Sequence, residues 1–137
     1  MRNILLASVA FFALTSAALA DNNDAFILQI GGGNDTTQTQ GDKPSNNPAT
    51  TTGNQAVSVQ LGFGNTVTQT QGTIHARSLD GEALAIQLGA DNTATQTQTG
   101  KHQEGTILQA GIGNTATQYQ NYWENDALAV QAGIKNT

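Results

Sequence analysis

The side chains that recur at fixed spacing in this chain are amides. A pattern of twelve residues, Gln-x-Gly-x-x-Asn-x-x-x-Gln-x-Gln, begins at residues 29, 60, 87 and 109, and a fifth copy begins at Gln131 and ends after its Asn136. A side-chain amide carries both a donor and an acceptor, so identical amides in register on neighbouring strands can hydrogen bond along a ladder. The pattern therefore predicts that its copies stack on one another in register.

The first Gln, the Asn and the last Gln of each copy are the residues that we expect to form such ladders. The Asn and the last Gln of a copy share one face of the predicted second strand, since alternate residues of a strand point to the same side. The expected ladder residues are Gln29, Asn34, Gln40, Gln60, Asn65, Gln71, Gln87, Asn92, Gln98, Gln109, Asn114, Gln120, Gln131 and Asn136.

Catalytic and metal-binding constellations are not expected. His75 and His102 are isolated in inter-repeat segments, there is no Cys, and no nucleophile–base set can be defended. Gly31-Gly32-Gly33 is interpreted as a turn, since no Lys follows as in a phosphate loop. The ten acidic residues are read as following no single repeat position, which argues against a calcium-binding β-roll. The sequence thus predicts no enzyme, cofactor or metal.

The composition narrows the class of protein. The first twenty residues read as a secretory signal peptide, with Arg2, an apolar run from Ile4 to Leu14, and the cleavage-type sequence Ala18-Leu19-Ala20. The remaining chain, 21–137, has four basic and ten acidic residues, a net charge of −6, which excludes a basic surface for nucleic acid. It is rich in Gln, Asn, Thr and Gly, which suits either disorder or a backbone-dominated β stack, and the fixed internal spacing favours the stack.

The variation between copies lies outside the motif. The intervals between first glutamines are 31, 27, 22 and 22 residues, and the extra residues fall in segments 41–53 (with Pro44 and Pro48), 72–81, 99–103 and 121–125. These segments are predicted to be loops. The repeat units themselves span approximately 25–40, 56–71, 83–98, 105–120 and 127–137.

Each unit is predicted to be a strand, a turn and a second strand. Two period-2 segments flank a glycine, which can adopt the positive φ that a tight turn requires. The expected turn glycines are Gly31, Gly62, Gly89, Gly111 and Gly133. The predicted fold is therefore all-β, a β-solenoid of five strand–turn–strand repeats resembling a cross-β stack, with the last repeat truncated.

The bulky apolar residues of the first strands fall on the opposite parity to the glutamines. If the first Gln of each copy points inward, these residues form an apolar stripe on the outside; a bulge at the turn would reverse the assignment. The expected outer stripe comprises Phe26, Leu28, Ile30, Val57, Val59, Leu84, Ile86, Leu128 and Val130.

The repeat resembles that of the curlins, the subunits of bacterial curli fibres, whose repeat reads Gln-x-Gly-x-x-Asn with an Ala two residues on and a Gln six after the Asn. The third copy matches at Gln87, Gly89, Asn92, Ala94 and Gln98. The resemblance covers nearly all of 21–137. It implies export through an outer-membrane secretion channel with accessory chaperones, nucleated assembly with a curli-type nucleator or major subunit, and extracellular cell-surface fibres that serve biofilm matrix, adhesion and surface colonisation.

Two functions of different classes follow from these patterns. The predicted stack shows no polar cap at either end, so we expect self-association into a homopolymer. The alternative is an ice-binding β-solenoid that uses outward Thr residues, such as Thr66, Thr68 and Thr70, as a flat hydroxyl grid. Whether a polymer-forming chain is the main subunit or the nucleator stays open at this point.

Overall fold

The chain forms strands and turns throughout its described part. The computed structural model describes residues 23–40, 53–72 and 78–137, and within these ranges there are ten strands and no helix. The strands are β1 (Asp24–Gly32), β2 (Asp35–Gln40), β3 (Gln55–Phe63), β4 (Thr66–Gln71), β5 (Ser78–Leu79), β6 (Glu82–Ala90), β7 (Thr93–Lys101), β8 (Glu104–Ile112), β9 (Thr115–Trp123) and β10 (Asp126–Ile134). The predicted signal peptide and His75 lie outside the described residues.

The long strands alternate between two parallel sheets. Sheet A has the order β1-β3-β6-β8-β10, and sheet B contains β2, β4, β7 and β9 in that order, with the short β5 also paired to β7. The register aligns the motif in every pair, so that Gln60 lies opposite Gln29 and Gln87. The fold is therefore all-β with parallel sheets, which is consistent with a β-solenoid-like stack.

The space between the two sheets is filled by small apolar side chains and amides. The buried apolar residues are Ala56, Val67, Ala83, Ala85, Ala94, Ile107 and Ala116, and most other buried residues are Gln or Asn. Small side chains leave room for extended amides from both sheets, and one larger residue, Ile107, stacks between Ala85 and Ala129. The interior thus depends on hydrogen bonding as much as on apolar contact.

The left-handed turn residue of each unit lies two residues after the motif glycine, at the last of the three residues predicted to form the turn. Gly89 is still inside β6, and the left-handed turn residue is Asp91, with φ of 55°. The same turn position is held by Gly33, Gly64, Gly113 and Lys135 in the other units. The five predicted turn glycines, Gly31, Gly62, Gly89, Gly111 and Gly133, all lie near the ends of sheet A strands with φ between 120° and 130°.

Stacking imposes a second demand on these strand-end glycines. A Cβ on Gly89 would overlap the carbonyl oxygen of Gly111 in the next unit, and the same overlap occurs at Gly31, Gly62 and Gly111 with the unit that follows each. Glycine is therefore needed both for its backbone conformation and for the close approach of neighbouring backbones.

Two of the predicted loops are largely strand. Segment 99–103 is mostly the end of β7, and segment 121–125 is mostly the end of β9, so that Lys101 pairs with Trp123. Only a tight turn at His102 or Glu124 remains, each with positive φ. Because these connections are so short, the backbone pairing of the strands continues up to the turn. The prediction of loops in these two segments was therefore wrong for most of their residues. Segment 41–52 lies outside the described residues, as does 73–77.

Substituting the stacking glycine is expected to disrupt the fold more than substituting the turn glycine. For Gly89→Ala we expect a loss of about 3 kcal/mol or more in the free energy of unfolding, because an unfavourable φ alone costs about 1–3 kcal/mol and the overlap with Gly111 adds to it. The matched control is Gly113→Asn at the turn, since Asn tolerates left-handed backbone and Asp91 already occupies the equivalent position. Urea denaturation followed by circular dichroism measures both, and equal losses would contradict this account.

Candidate functional site

The first glutamines of the five units form one continuous ladder in the interior. Each Nε2 donates to the Oε1 of the next unit, from Gln29 through to Gln131, with distances of 2.6 to 3.0 Å. Gln60 and Gln87 are completely buried. Of the two orientations that the sequence allows, the structure thus has the first Gln inside and the apolar residues of sheet A outside.

The asparagines form a second ladder with the opposite direction of donation. The Nδ2 of each Asn donates to the Oδ1 of the preceding one, from Asn136 back to Asn34, with distances of 2.9 to 3.1 Å. The backbone N–H of the same residue donates to the same oxygen. Asn65, Asn92 and Asn114 also donate forward, as Asn65 does to the Gly89 carbonyl at 3.0 Å. The Asn and the strand-end glycine of the motif therefore work as a pair, because the bare glycine backbone lets this contact form.

Two further ladders run through sheet B. The last glutamines, Gln40, Gln71, Gln98 and Gln120, are linked at 2.9 to 3.0 Å. The middle glutamines of the motif, Gln38, Gln69, Gln96 and Gln118, were not among the expected ladder residues but form an equivalent row at 2.8 to 3.1 Å.

The sheet B glutamines also hold the two sheets together. Gln96 donates to the Leu84 carbonyl of sheet A at 3.2 Å, and Gln98 donates to the Glu82 carbonyl at 2.7 Å. Equivalent bonds recur in the other units, for example from Gln71 to the Gln55 carbonyl at 2.8 Å. These amides therefore satisfy the interior and connect its two walls.

The turns on the other side of the stack carry buried amides that the sequence analysis missed. Asn54 donates to Asn23 Oδ1 at 3.0 Å, and Gln103 donates to the Tyr122 carbonyl at 2.7 Å. Both Asn54 and Gln103 are buried, and Asn125 donates to Gln103 Oε1 at 3.3 Å. Their position in the sequence could have identified them, because each of these amides lies six residues before the first Gln of its unit.

The outer face of sheet A is apolar across all five units. One register row reads Leu28, Val59, Ile86, Leu108 and Val130, which adds Leu108 to the expected stripe. A second row contains Phe26, Val57, Leu84 and Leu128, and Ile30 begins a third. Exposure is greatest at the ends of the sheet, where Leu128 is 70% exposed and Phe26 49%. Several adjacent apolar columns form a patch, which is the usual sign of an interaction surface.

Four of the ten acidic residues share one repeat position, so the prediction that they follow no single repeat position was wrong. Asp24, Glu82, Glu104 and Asp126 lie in one register row of sheet A, with Gln55 as its only neutral member. All five side chains are exposed. Among the described residues no group of three His, Asp or Glu side chains is arranged to hold a metal ion. Like charges in adjacent positions oppose pairing, so this row works against the stack rather than for it.

The outer face of sheet B carries rows of threonine. Thr37, Thr68, Thr95 and Thr117 form one row, and Thr39, Thr70 and Thr97 form another that ends at Tyr119. This face therefore presents hydroxyl groups at regular intervals, where the outer face of sheet A presents apolar side chains.

Aromatic side chains gather near the end of β9. Tyr119, Tyr122 and Trp123 are between 69% and 76% exposed. Lys101 Nζ lies 5.4 Å from the centre of the Trp123 ring. On the neighbouring turn, His102 Nδ1 lies 3.8 Å from Asp80 Oδ2, and both side chains are exposed. These contacts lie at the surface and leave the interior ladders untouched.

Removing one interior amide is expected to destabilise the stack. Gln96→Leu leaves the Leu84 carbonyl and the amides of Gln69 and Gln118 without this partner. Each unpaired buried polar group costs about 1–3 kcal/mol, so we expect a loss of about 3 kcal/mol in the free energy of unfolding. Thr95→Val, on the outer face of the same strand, is the matched control and should change stability little. A similar loss for both variants in urea denaturation would refute the role assigned to the ladder.

Comparisons with known proteins add no relative. No protein-family model matches the chain, and neither the curated proteins nor the solved structures searched contain a match. No helix among the described residues is long and apolar enough to span a membrane. The resemblance to curlins therefore rests on the repeat residues of this sequence.

Proposed function

We propose that this chain is a secreted structural subunit that polymerises head to tail into extracellular, curli-like amyloid fibres. The observation that carries the proposal is the set of four amide ladders, which run from unit to unit and end at the edge strands of the described stack. Within the described residues, β1 and β10 are the edge strands of sheet A, and β2 and β9 are the outer long strands of sheet B. Another copy can extend both the backbone pairing and the ladders with the same chemistry.

The proposed unit of the fibre is a five-repeat β-solenoid whose last repeat has only its sheet A strand. Parallel, in-register strands supply the backbone pairing of a cross-β structure, with neighbouring strands about 4.8 Å apart. The polar interior supports this reading, because buried amides are satisfied only when each has a copy above and below it.

We also propose that the chain is secreted and that other proteins assist its export and assembly. The signal-peptide pattern of residues 1–20 would direct the chain out of the cytoplasm, and the curlin-like repeat suggests an outer-membrane secretion channel, accessory chaperones and a nucleator or major subunit as partners. The fibres would serve biofilm matrix, adhesion and surface colonisation.

The in-register threonine rows of sheet B favour ice binding as a second candidate. Thr37, Thr68, Thr95 and Thr117 make one regular row, but Asp35 and Tyr119 interrupt the neighbouring rows. Thermal hysteresis of freshly prepared soluble chain is the test of this candidate, and its absence removes it.

Fibre formation by the chain without residues 1–20 is the direct test of the main proposal. We expect unseeded assembly that binds amyloid dyes, accelerates on seeding with preformed fibres, and diffracts at about 4.8 Å along the fibre axis. Soluble chain that never forms cross-β material under these conditions would refute the proposal.

The outer apolar face of sheet A is proposed to pack filaments side by side. Replacing Leu84, Ile86 and Leu88 by Thr removes apolar surface at the centre of that face while keeping residues suited to strands. We expect single filaments that no longer bundle in electron micrographs. The control replaces Thr93, Thr95 and Thr97 of sheet B by Ser and should leave bundles intact; bundles that persist in the apolar variant would argue against this role.

A further inference from the structure

The two sheets contain unequal numbers of long strands. Within the described residues sheet A has five, from β1 to β10, whereas sheet B has four, from β2 to β9. The described stack therefore has one sheet A strand, β10, with no sheet B strand to complete its unit. Two copies of the described stack, placed end to end in this register, therefore leave either a gap in sheet B or a surplus strand in sheet A.

In a head-to-tail polymer, two kinds of junction between copies preserve the register that aligns the motif within one copy. In the first, β10 pairs with β1 of the next copy, and sheet B is interrupted by a gap the width of one strand. In the second, β9 pairs with β2 of the next copy, sheet B is continuous, and a single position in sheet A is left for two strands, β10 and the next copy's β1. The gap in the first junction would be about 9.6 Å between strands, twice the normal spacing.

An unpaired buried oxygen at the edge of β2 favours the second junction. Gln38 Oε1 is buried and has no hydrogen-bond partner among the described residues. Its equivalents in the later units, such as Gln69 Oε1 and Gln96 Oε1, each accept an Nε2 from the preceding unit. Gln38 therefore lacks the donor that a preceding sheet B strand would supply.

The matching donor lies at the opposite end of the same ladder. Gln118 Nε2 donates to the Thr106 carbonyl at 2.9 Å, whereas the equivalent Gln96 Nε2 also donates to the next amide in the row. Placing β2 of a second copy beside β9 in the common register puts Gln38 opposite Gln118 and Gln40 opposite Gln120. Both sheet B ladders then continue across the junction with their direction of donation unchanged.

The charges and side chains at the two ends of the stack also favour the second junction, in which β9 pairs with β2 of the next copy. Pairing β10 with the next copy's β1 would put Asp126 opposite Asp24 and lengthen the acidic row of sheet A, which is unfavourable for adjacent strands. In the second junction only one of these two strands, β10 or the next copy's β1, stays in sheet A. Its Asp then lies opposite the neutral Gln55 of the next copy. On sheet B, Tyr119 comes to lie opposite Thr39, an aromatic and β-branched pair of the type that stabilises sheets.

We propose that copies of this chain join through sheet B, with β9 of one copy pairing in parallel with β2 of the next, and that β10 and the next copy's β1 compete for the single sheet A position between them. The proposal rests on the fibre proposed above. It commits the partner to a second copy of this chain and assigns the contact to Thr115–Gln120 on one copy and 35–40 on the other. The displaced strand leaves the stack at every junction.

Solid-state NMR on mixed fibres of the unsubstituted chain tests the register directly. Equal amounts of ¹⁵N-labelled and ¹³C-labelled chain are assembled together, so that ¹⁵N–¹³C cross-peaks report only contacts between copies. We expect cross-peaks between Thr115–Gln120 and residues 35–40. Cross-peaks between 126–134 and 24–32 without any between β9 and β2 would overturn the proposal. Chain that forms no fibre would instead overturn the proposed function.

A charge-complementation experiment gives an independent readout in the full chain. Gln118→Glu removes the donor at the end of the ladder, and Gln38→Lys removes the acceptor. Each variant alone should elongate seeds about tenfold more slowly than the unsubstituted chain, since one lost buried hydrogen bond changes an equilibrium by about that factor.

Mixing the two variants should restore elongation. In an equimolar mixture, a junction can bring the carboxylate introduced at position 118 of one variant against the ammonium group introduced at position 38 of the other. The alternate junctions then keep the original pair, Gln118 with Gln38. Gln98→Glu, inside the stack, is the control that mixing with Gln38→Lys should not rescue. Single variants that elongate normally, or a mixture no faster than its components, would overturn the sheet B junction.

Discussion

The structure depends on the requirement that a buried side-chain amide be hydrogen bonded on all sides. A lone glutamine between two sheets would leave donors and acceptors unpaired, at a cost of about 1–3 kcal/mol each. Here Gln60 Nε2 donates to Gln87 and to the Asn65 carbonyl, while its Oε1 accepts from Gln29. The requirement can be met only if every unit has a neighbour of the same sequence in the same register, which is why the motif tolerates insertions between copies and none within them.

This constraint explains the unusual division of the molecule into faces. Interior positions of sheet A next to the glutamines are small, since Ala83 and Ala85 must leave room for amides that reach across from sheet B. Bulky apolar residues such as Ile86 are then placed on the outside, where a sheet of ordinary composition would be polar. The fold consequently buries its amides and presents an apolar surface on sheet A, an arrangement that suits the proposed packing of copies against one another.

The opposed directions of the ladders give the stack a polarity. Glutamine amides donate toward the β10 end and asparagine amides toward the β1 end, so neither end can pair with a copy of itself in the same way. A row of carboxylates at Asp24, Glu82, Glu104 and Asp126 opposes stacking, and the four ladders must outweigh it. The proposed assembly is therefore directional, and at each proposed junction sheet A has a surplus strand.

The sequence by itself determined the repeat, the strand alternation and the class of fold, whereas only the tertiary structure decided what each residue meets in the next unit. The motif spacing placed Asn92, Gln96 and Gln98 on one face, because side-chain direction alternates strictly along a strand and can be read without knowing which strands are neighbours. The reason for Gly89, by contrast, is the carbonyl of Gly111, twenty-two residues away, which makes it a stacking glycine where local propensity predicted a turn. The orphaned oxygen of Gln38 likewise became visible only when its ladder had been placed, since an unsatisfied group is defined by the neighbours that surround it.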